Sequence, residues 1–537
     1  MQAFIRHIAA ALALALVFTV CASAASALPR VRFKKDGDQP ELISCAEDLL
    51  ALAELVNSGE TCEGRRFVMT DDIDMSAIGA FTPIGDGLTG EDGVRRVFKG
   101  SFSGGSHRIT GLHIEPGPEY QYAALFGMTE GGEITGLSVT GAFVSGAHSA
   151  GGVTGYANGT VLDDLLFEGS VRASFSAGGI TASCENAVIT GCEVRAAVES
   201  SEYAGGVCGI AGHAHFTNCT PSGTVSSLTD AGGVAGYAFD SALVSCANRA
   251  RVSGGDHVSG AVGIAQTTSF ERCENLGPIT GERFVGGIAG RCCGSDFTAC
   301  VNRGAIFGED YIGGVIGWSD DGADFGDNGL INYMLECMNT GSVTGNWGVG
   351  GLIGDSHDAV VWDCFNTGRV ISDQYAGGLT GYTAESSFSR CYNAGSVFAN
   401  TAADAIAGRV SFYGADFENC VFLDTCCENG ENGIAMDAME LLYEAAYEGF
   451  DFEEVWTISD TGYPYAHLMA VDPPLPESGD TDGDGDITSV DALTALRSAL
   501  GIIQLAPLER FRADMNCDGL IDSSDALLIL RAALGIV

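Results

Sequence analysis

Cys337-Met-Asn-Thr-Gly-Ser-Val343 returns 27 residues later as Cys364-Phe-Asn-Thr-Gly-Arg-Val370, and again as Cys391-Tyr-Asn-Ala-Gly-Ser-Val397. Cysteine keeps the same ruler upstream, at Cys192, Cys219, Cys246, Cys273 and Cys300, with a single step of 37 before Cys337. Asparagine stands two residues after most of them, at Asn248, Asn275, Asn302, Asn339, Asn366 and Asn393. An offset of two puts both side chains on one face of an extended segment, and short alternating runs bounded by glycine read as strands. A second ruler runs beside the first: Gly151-Gly152, Gly178-Gly179, Gly205-Gly206, Gly232-Gly233, Gly286-Gly287, Gly313-Gly314, Gly350-Gly351 and Gly377-Gly378. A period of this length, sustained over half the chain, marks a solenoid.

The spacing therefore predicts a mainly β fold, a right-handed parallel β-helix of about 27 residues per coil. Equivalent residues of neighbouring coils would stack about 4.8 Å apart, so about ten coils would make a rod roughly 50 Å long. The Val, Ile or Leu after each glycine pair should fill the interior, cysteine should act as a small buried hydrophobe, and asparagine amides should bond along the stack. Solenoid ends need covers. Ser44 with Glu47 forms a capping box, Leu49, Leu52, Leu55 and Val56 form an apolar stripe, and Gly59 stops that helix over the first coil. A helix over 437–447, with Trp456-Thr-Ile458 and Gly462-Tyr-Pro-Tyr465, is expected to close the last coil.

Composition narrows function. The 537 residues carry 26 Lys and Arg against 70 Asp and Glu, a formal net charge of −44 that repels phosphate backbones and anionic membranes. Nucleic-acid binding and membrane insertion are not expected. Arg6, an apolar run from Ile8 to Val20 and small-residue sites at Ala22-Ser23-Ala24 and Ala25-Ser26-Ala27 read as a secretory signal, so a secreted, extracellular protein is expected.

After a proline-rich linker, oxygen donors recur at calcium-loop spacing: Asp480, Asp482, Asp484, Gly485, Asp486 and Asp491, then, 34 residues on, Asp514, Asn516, Asp518, Gly519, Leu520, Asp522 and Asp525. Oxygen side chains at loop positions 1, 3, 5 and 12 suit a hard cation, position 7 offers a backbone carbonyl, and glycine at 6 makes the sharp turn. Thr488 at position 9 of the first loop points to ligation through water. Each loop runs into an apolar helix ending Arg497-Ser-Ala-Leu-Gly501 or Arg531-Ala-Ala-Leu-Gly535, with no helix read before either loop. The pair resembles a type I dockerin. That resemblance implies two calcium ions, attachment to a scaffoldin cohesin, and a recognition surface at Ser489, Val490, Ser523 and Ser524 with Arg497 and Arg531. The repeats Gly287-Ile-Ala-Gly290, Gly314-Val-Ile-Gly317 and Gly351-Leu-Ile-Gly354, with Phe98-Lys-Gly-Ser-Phe-Ser-Gly104 upstream, resemble the GLUG repeat of secreted bacterial surface proteins. That likeness implies architecture and little about activity.

The extra ten residues of one coil lie after Trp318, where Asp320, Asp321, Asp324 and Asp327 are candidates for paired catalytic carboxylates or a cation site, with a solvated acidic loop as the plainer reading. Cys45 and Cys62 flank the first helix and form the best candidate disulfide, Cys292-Cys293 and Cys426-Cys427 are candidate metal pairs, and His213 with His215 would share a strand face. Trp318, Trp347, Tyr311 and Tyr375 are candidates for stacking sugar rings. The expected layout is a signal at 1–27, a cap and first coils at 28–149, repeats at 150–420, a C-terminal cap at 421–470, a linker at 471–479 and the dockerin at 480–537. The expected function is docking by a non-catalytic rod that binds carbohydrate, with plant cell-wall polysaccharide as the candidate ligand, or adheres. The alternatives are a polysaccharide lyase or glycoside hydrolase, and an envelope-attached surface protein.

Overall fold

In the computed structural model the interior is built before the surface: every coil turns one alternating face inward, and the apolar residue after each glycine pair lies at its centre. Val153, Ile180, Val207, Val234, Ile288, Val315, Leu352 and Leu379 are all fully buried in one continuous core. The structure describes residues 39–534 except 91–92, 327–328, 459–464, 471–478, 483–485, 506 and 516–520. The signal at 1–27, Asp327, most of the linker, Gly462 to Pro464, Asp484, Gly485, Asn516, Asp518, Gly519 and Leu520 lie outside the described residues.

The coils form a parallel β-solenoid. Its longest sheet has 14 strands, from Glu41–Ile43 to Ala415–Glu418, so the rod has about 14 rungs rather than ten. At about 4.8 Å per rung the stack is roughly 65 Å long. The difference arises because residues 41–149 join the same sheets as the repeats: Ser101–Ser103 pairs in register with Glu133–Thr135, which pairs with Val161–Asp163.

The asparagine column is a continuous hydrogen-bonded ladder. Asn248 Nδ2 donates to Asn275 Oδ1 at 2.8 Å, Asn275 to Asn302 at 2.7 Å, Asn302 to Asn339 at 2.7 Å, Asn339 to Asn366 at 2.8 Å and Asn366 to Asn393 at 2.8 Å. Each amide also folds onto its own chain, as where Asn248 Oδ1 accepts from Ala250 N–H at 3.0 Å and Nδ2 donates to Ala250 O at 3.1 Å. That local ring bends the backbone into a corner. The effect is visible in the coils that lack it. Phe167, Val194 and Pro221 occupy the preceding rungs, and there the strands Leu166–Ala173, Glu193–Ser200 and Thr220–Ser227 run unbroken. From Asn248 onward the same stretch splits into two strands, such as Ala247–Asn248 and Arg251–Ser253. The second glycine of each pair makes room for the ladder: a Cβ on Gly287 would collide with Gly314 O and the Asn302 side chain.

The cysteine column is buried beside it, its thiols donating to carbonyls of the preceding coil, as Cys273 Sγ does to Leu243 O at 3.5 Å. Cys45 and Cys62 are not bonded to each other, and burial pushes the Cys62 thiol up to about 12. Neither vicinal cysteine pair joins a third metal ligand among the described residues. His213 sits at a left-handed corner (φ 49°), outside the strand His215–Thr217, so the two histidines do not share a strand face.

Helix α1 (Ala46–Asn57) covers the first coil through Leu49, Leu52 and Val56, but its N-terminal bond differs from the expected one. Ser44 N–H and Oγ–H donate to Asp48 Oδ2 at 2.8 and 3.0 Å, so the carboxylate one residue past Glu47 does the capping. At the other end no α-helix spans 437–447. Two 3₁₀ turns, Glu440–Leu442 and Glu444–Ala446, are separated by extended Tyr443 (φ −124°, ψ 139°). The reason is the surface they must cover: Leu441, Tyr447 and Trp456 all bury onto the last coil, where Trp456 Nε1–H donates to Asp363 Oδ1 at 3.0 Å and Tyr392 Oη–H to Ala466 O at 2.6 Å. The C-terminal part adds α2 (Ser489–Ala499), α3 (Pro507–Ala513) and α4 (Ser523–Ala533) around Ala492, Ala495, Ala513, Ala526 and Ile529. No helix among the described residues is long and apolar enough to cross a membrane.

Candidate metal centre and docking face

A loop that ends in a helix must satisfy that helix's first N–H groups, and here the last residue of the loop does so. Thr488 caps α2 by accepting from Val490 N–H at 3.1 Å, while Asp491 Oδ2 accepts from Thr488 N–H at 2.8 Å and from its hydroxyl at 2.9 Å. Asp491 Oδ1 reaches back to the loop entrance, accepting from Thr481 N–H at 2.8 Å and its hydroxyl at 3.0 Å. One carboxylate thus ties position 12 to position 2. Burial alone would raise its pKa, but these donors outweigh burial and hold Asp491 below the usual carboxylate range. Thr488, read from sequence as acting through water, has its hydroxyl engaged in the cap.

Oxygens of Asp480, Asp482 and Asp491 converge to within 4.8 Å of one another, and Asp480 and Asp491 are 4% and 1% exposed. Three like charges this close, two of them out of water, call for a cation between them. Oxygen-only donors in a 12-residue loop match a hard divalent ion of calcium's preference. Asp486 is exposed in the same loop.

The second loop repeats the construction where it is described. Asp522 caps α4 by accepting from Ser524 N–H at 2.6 Å, and fully buried Asp525 returns a bond from Asp522 N–H at 3.0 Å. Bonds from Ser524 lower the Asp522 carboxyl below its ordinary value. Asp514 opens this loop directly after α3, so a short helix does precede the second hand, contrary to the reading from sequence. The two halves are tied by Gly479 N–H donating to Arg512 O at 2.9 Å.

Ser489, Val490, Arg497, Ser523, Ser524 and Arg531 are all exposed on the outer faces of α2 and α4. The sequence reading missed what surrounds them. Leu493, Leu496 and Leu500 are exposed on one helix, and Leu527, Leu530 and Leu534, each 34 residues further on, are exposed on the other. Exposed leucines grouped this way mark a surface that a partner covers. A strict core stripe leaves these positions outside, which was the available signal.

On the solenoid the candidate carboxylates have other work. Arg291 Nε–H donates to Asp320 at 2.6 Å and its terminal N–H to Asp324 at 2.9 Å, and its guanidinium lies 4.4 Å from the Trp318 ring centroid and 4.7 Å from that of Phe325. Asp320 and Asp321 also accept from Gly322 and Ala323 N–H at 2.8 and 3.1 Å. The insertion is thereby stitched to the coil before it, and its acids do not stand as a free pair.

Among comparisons with known proteins, the dockerin type I domain model matches residues 478–533. No curated protein matches the chain significantly. A crystal structure of a Bacteroides ovatus protein, provisionally named an immunoglobulin A1 protease, aligns over 81% of this chain and 94% of its own at 17% identity, with a TM-score of 0.24. Dockerin domains of this type bind calcium and attach to cohesin modules. The converging carboxylates, the paired capping boxes and the matched region agree: residues 478–533 are a type I dockerin domain, carried in one chain with a parallel β-solenoid.

Proposed function

We propose that the protein is a secreted component of a cellulosome-type assembly, docking through two calcium-loaded loops onto a cohesin of a scaffoldin, with the solenoid as a non-catalytic binding or adhesive rod. The observation that carries the docking half is the match between α2 and α4: the same exposed residues, 34 apart, beside loops that end in the same carboxylate clamp. Asp480, Asp482, Asp486 and Asp491 would hold one ion, with Asp484, and Asp514, Asp522 and Asp525 the other, with Asn516, Asp518 and the Leu520 carbonyl. Calcium supplies no chemistry to a reaction here; it fixes the two helices so that Ser489, Val490, Arg497, Ser523, Ser524 and Arg531 face a partner together. The engagement of Asp320 and Asp324 by Arg291 favours a binding rod over a lyase or hydrolase.

The test is capture of the full chain by immobilised type I cohesins in calcium and in chelator. Retention in calcium alone supports the proposal. Failure of every type I cohesin to retain the calcium-loaded chain overturns it. Release of reducing or unsaturated sugars from xylan, pectin or cellulose would overturn the non-catalytic half.

A further inference from the structure

Equivalent residues of successive coils form lines parallel to the rod, and one line is aromatic. Phe284 and Tyr311 stack with centroids 5.3 Å apart, Tyr311 meets Trp347 at 4.8 Å, and Trp347 meets Tyr375 at 5.7 Å and Tyr382 at 5.6 Å. All five rings are half-buried, each presenting part of its surface to solvent. Arg409 lies 5.0 Å from the Tyr375 centroid, donates to Tyr375 Oη at 3.0 Å, and is exposed.

Between these rings lies a carboxylate that the fold leaves incompletely satisfied. Asp355 is in register with Trp318 on one side and Tyr382 on the other. It is 6% exposed, and its Oδ1 accepts no hydrogen bond. His357 Nε2 is 3.2 Å away, near enough to balance charge but out of line for a bond. A buried oxygen in this condition calls for a donor that the chain does not supply.

We propose that this strip, centred on Trp347, Tyr382 and Asp355, binds a neutral, linear β-linked polysaccharide lying along the rod. The inference rests on the reading of the solenoid as a binding surface and names its ligand class. Pyranose rings with equatorial hydroxyls turn C–H faces outward and stack on aromatic rings, while their hydroxyls donate to a carboxylate such as Asp355. A chain of such sugars repeats its apolar face, as the strip repeats its rings. Charge selects against a polyanion: the protein carries −44, and Arg291 is already held by Asp320 and Asp324.

Affinity electrophoresis of the full chain through gels containing hydroxyethylcellulose, xylan or polygalacturonate tests this, with cohesin capture run in parallel. The wild type should be retarded by at least one of the two neutral polymers. The double variant Trp347→Ala/Tyr382→Ala should lose affinity about tenfold or more, Asp355→Asn about threefold, and Trp362→Ala, on another face, should be unchanged. No retardation by either neutral polymer, retardation by polygalacturonate alone, or undiminished binding by a double variant with an unaltered thermal transition would each overturn it. Should the double variant fail to fold, quenching or shift of tryptophan fluorescence on adding cellohexaose or xylohexaose to the wild type, lost in Trp347→Phe, decides the matter; no change with either sugar overturns the proposal. Glycan binding without cohesin capture, or the reverse, shows which of the two readings has failed.

Discussion

The solenoid and the dockerin solve the same problem, keeping polar groups satisfied inside a fold, by opposite means. The solenoid seals its interior with its own repetition: each ladder amide donates to the next coil and to its own backbone, so the structure is complete without a ligand. The dockerin is small, with a core of a few alanines and one isoleucine, and buries Asp480, Asp491 and Asp525. A core that size stabilises little by itself, and its stability comes from the ion. One region owes its rigidity to sequence periodicity and the other to solution conditions.

Removing calcium should break the comparison most sharply. In chelator, helical circular dichroism from residues 480–534 and all cohesin capture should vanish while the β signal of the solenoid persists; binding at a thousand times the dissociation constant is worth about 4 kcal/mol. Loss of both signals together would mean that the two regions are not independent. Next in size is Asn302→Ala, which strands an amide on each side and opens a cavity in the ladder; it should destabilise the solenoid by about 4 kcal/mol in urea and leave calcium affinity unchanged. Arg291→Ala leaves Asp320 buried without its partner and should cost about 3 kcal/mol, read as proteolytic nicking at 321–330. Leu493→Ala with Leu527→Ala, on exposed faces, should weaken cohesin binding by about 2 kcal/mol with no change in melting temperature. The smallest effect is that of acid. Asp491 titrates lower folded than unfolded, so its contribution is fully present above the ordinary carboxylate value near 4 and is lost as pH falls through its lower folded value. Cohesin capture in saturating calcium should therefore be unchanged between pH 7 and pH 5.

Much of this was legible because repetition amplifies weak signals. One Cys-x-Asn is nothing, but six in register define a ladder, and two loops 34 residues apart define a metal-binding module. What escaped has physical reasons. The stretch Asp437 to Tyr447 is rich in helix formers, yet the end of the rod offers a flat aromatic surface that two short turns cover better. The Asn248 corner and the straight strands before it differ by a single hydrogen-bonded ring, which periodicity alone does not reveal. The role of Arg291 depends on a meeting across 29 residues with Asp320 that no motif announces. Asp355 was unreadable because its burial comes from rings in neighbouring coils.

The 37-residue step shows what the ladder permits. Asn302 and Asn339 bond at 2.7 Å even though ten additional residues leave the coil between them, so the spine does not register what happens outside it. Growth along the axis is quantised and sideways growth is not: a descendant of this protein can gain or lose whole turns or sprout loops from any one of them, but a frame slip of a few residues along the spine would leave every later amide without a mate.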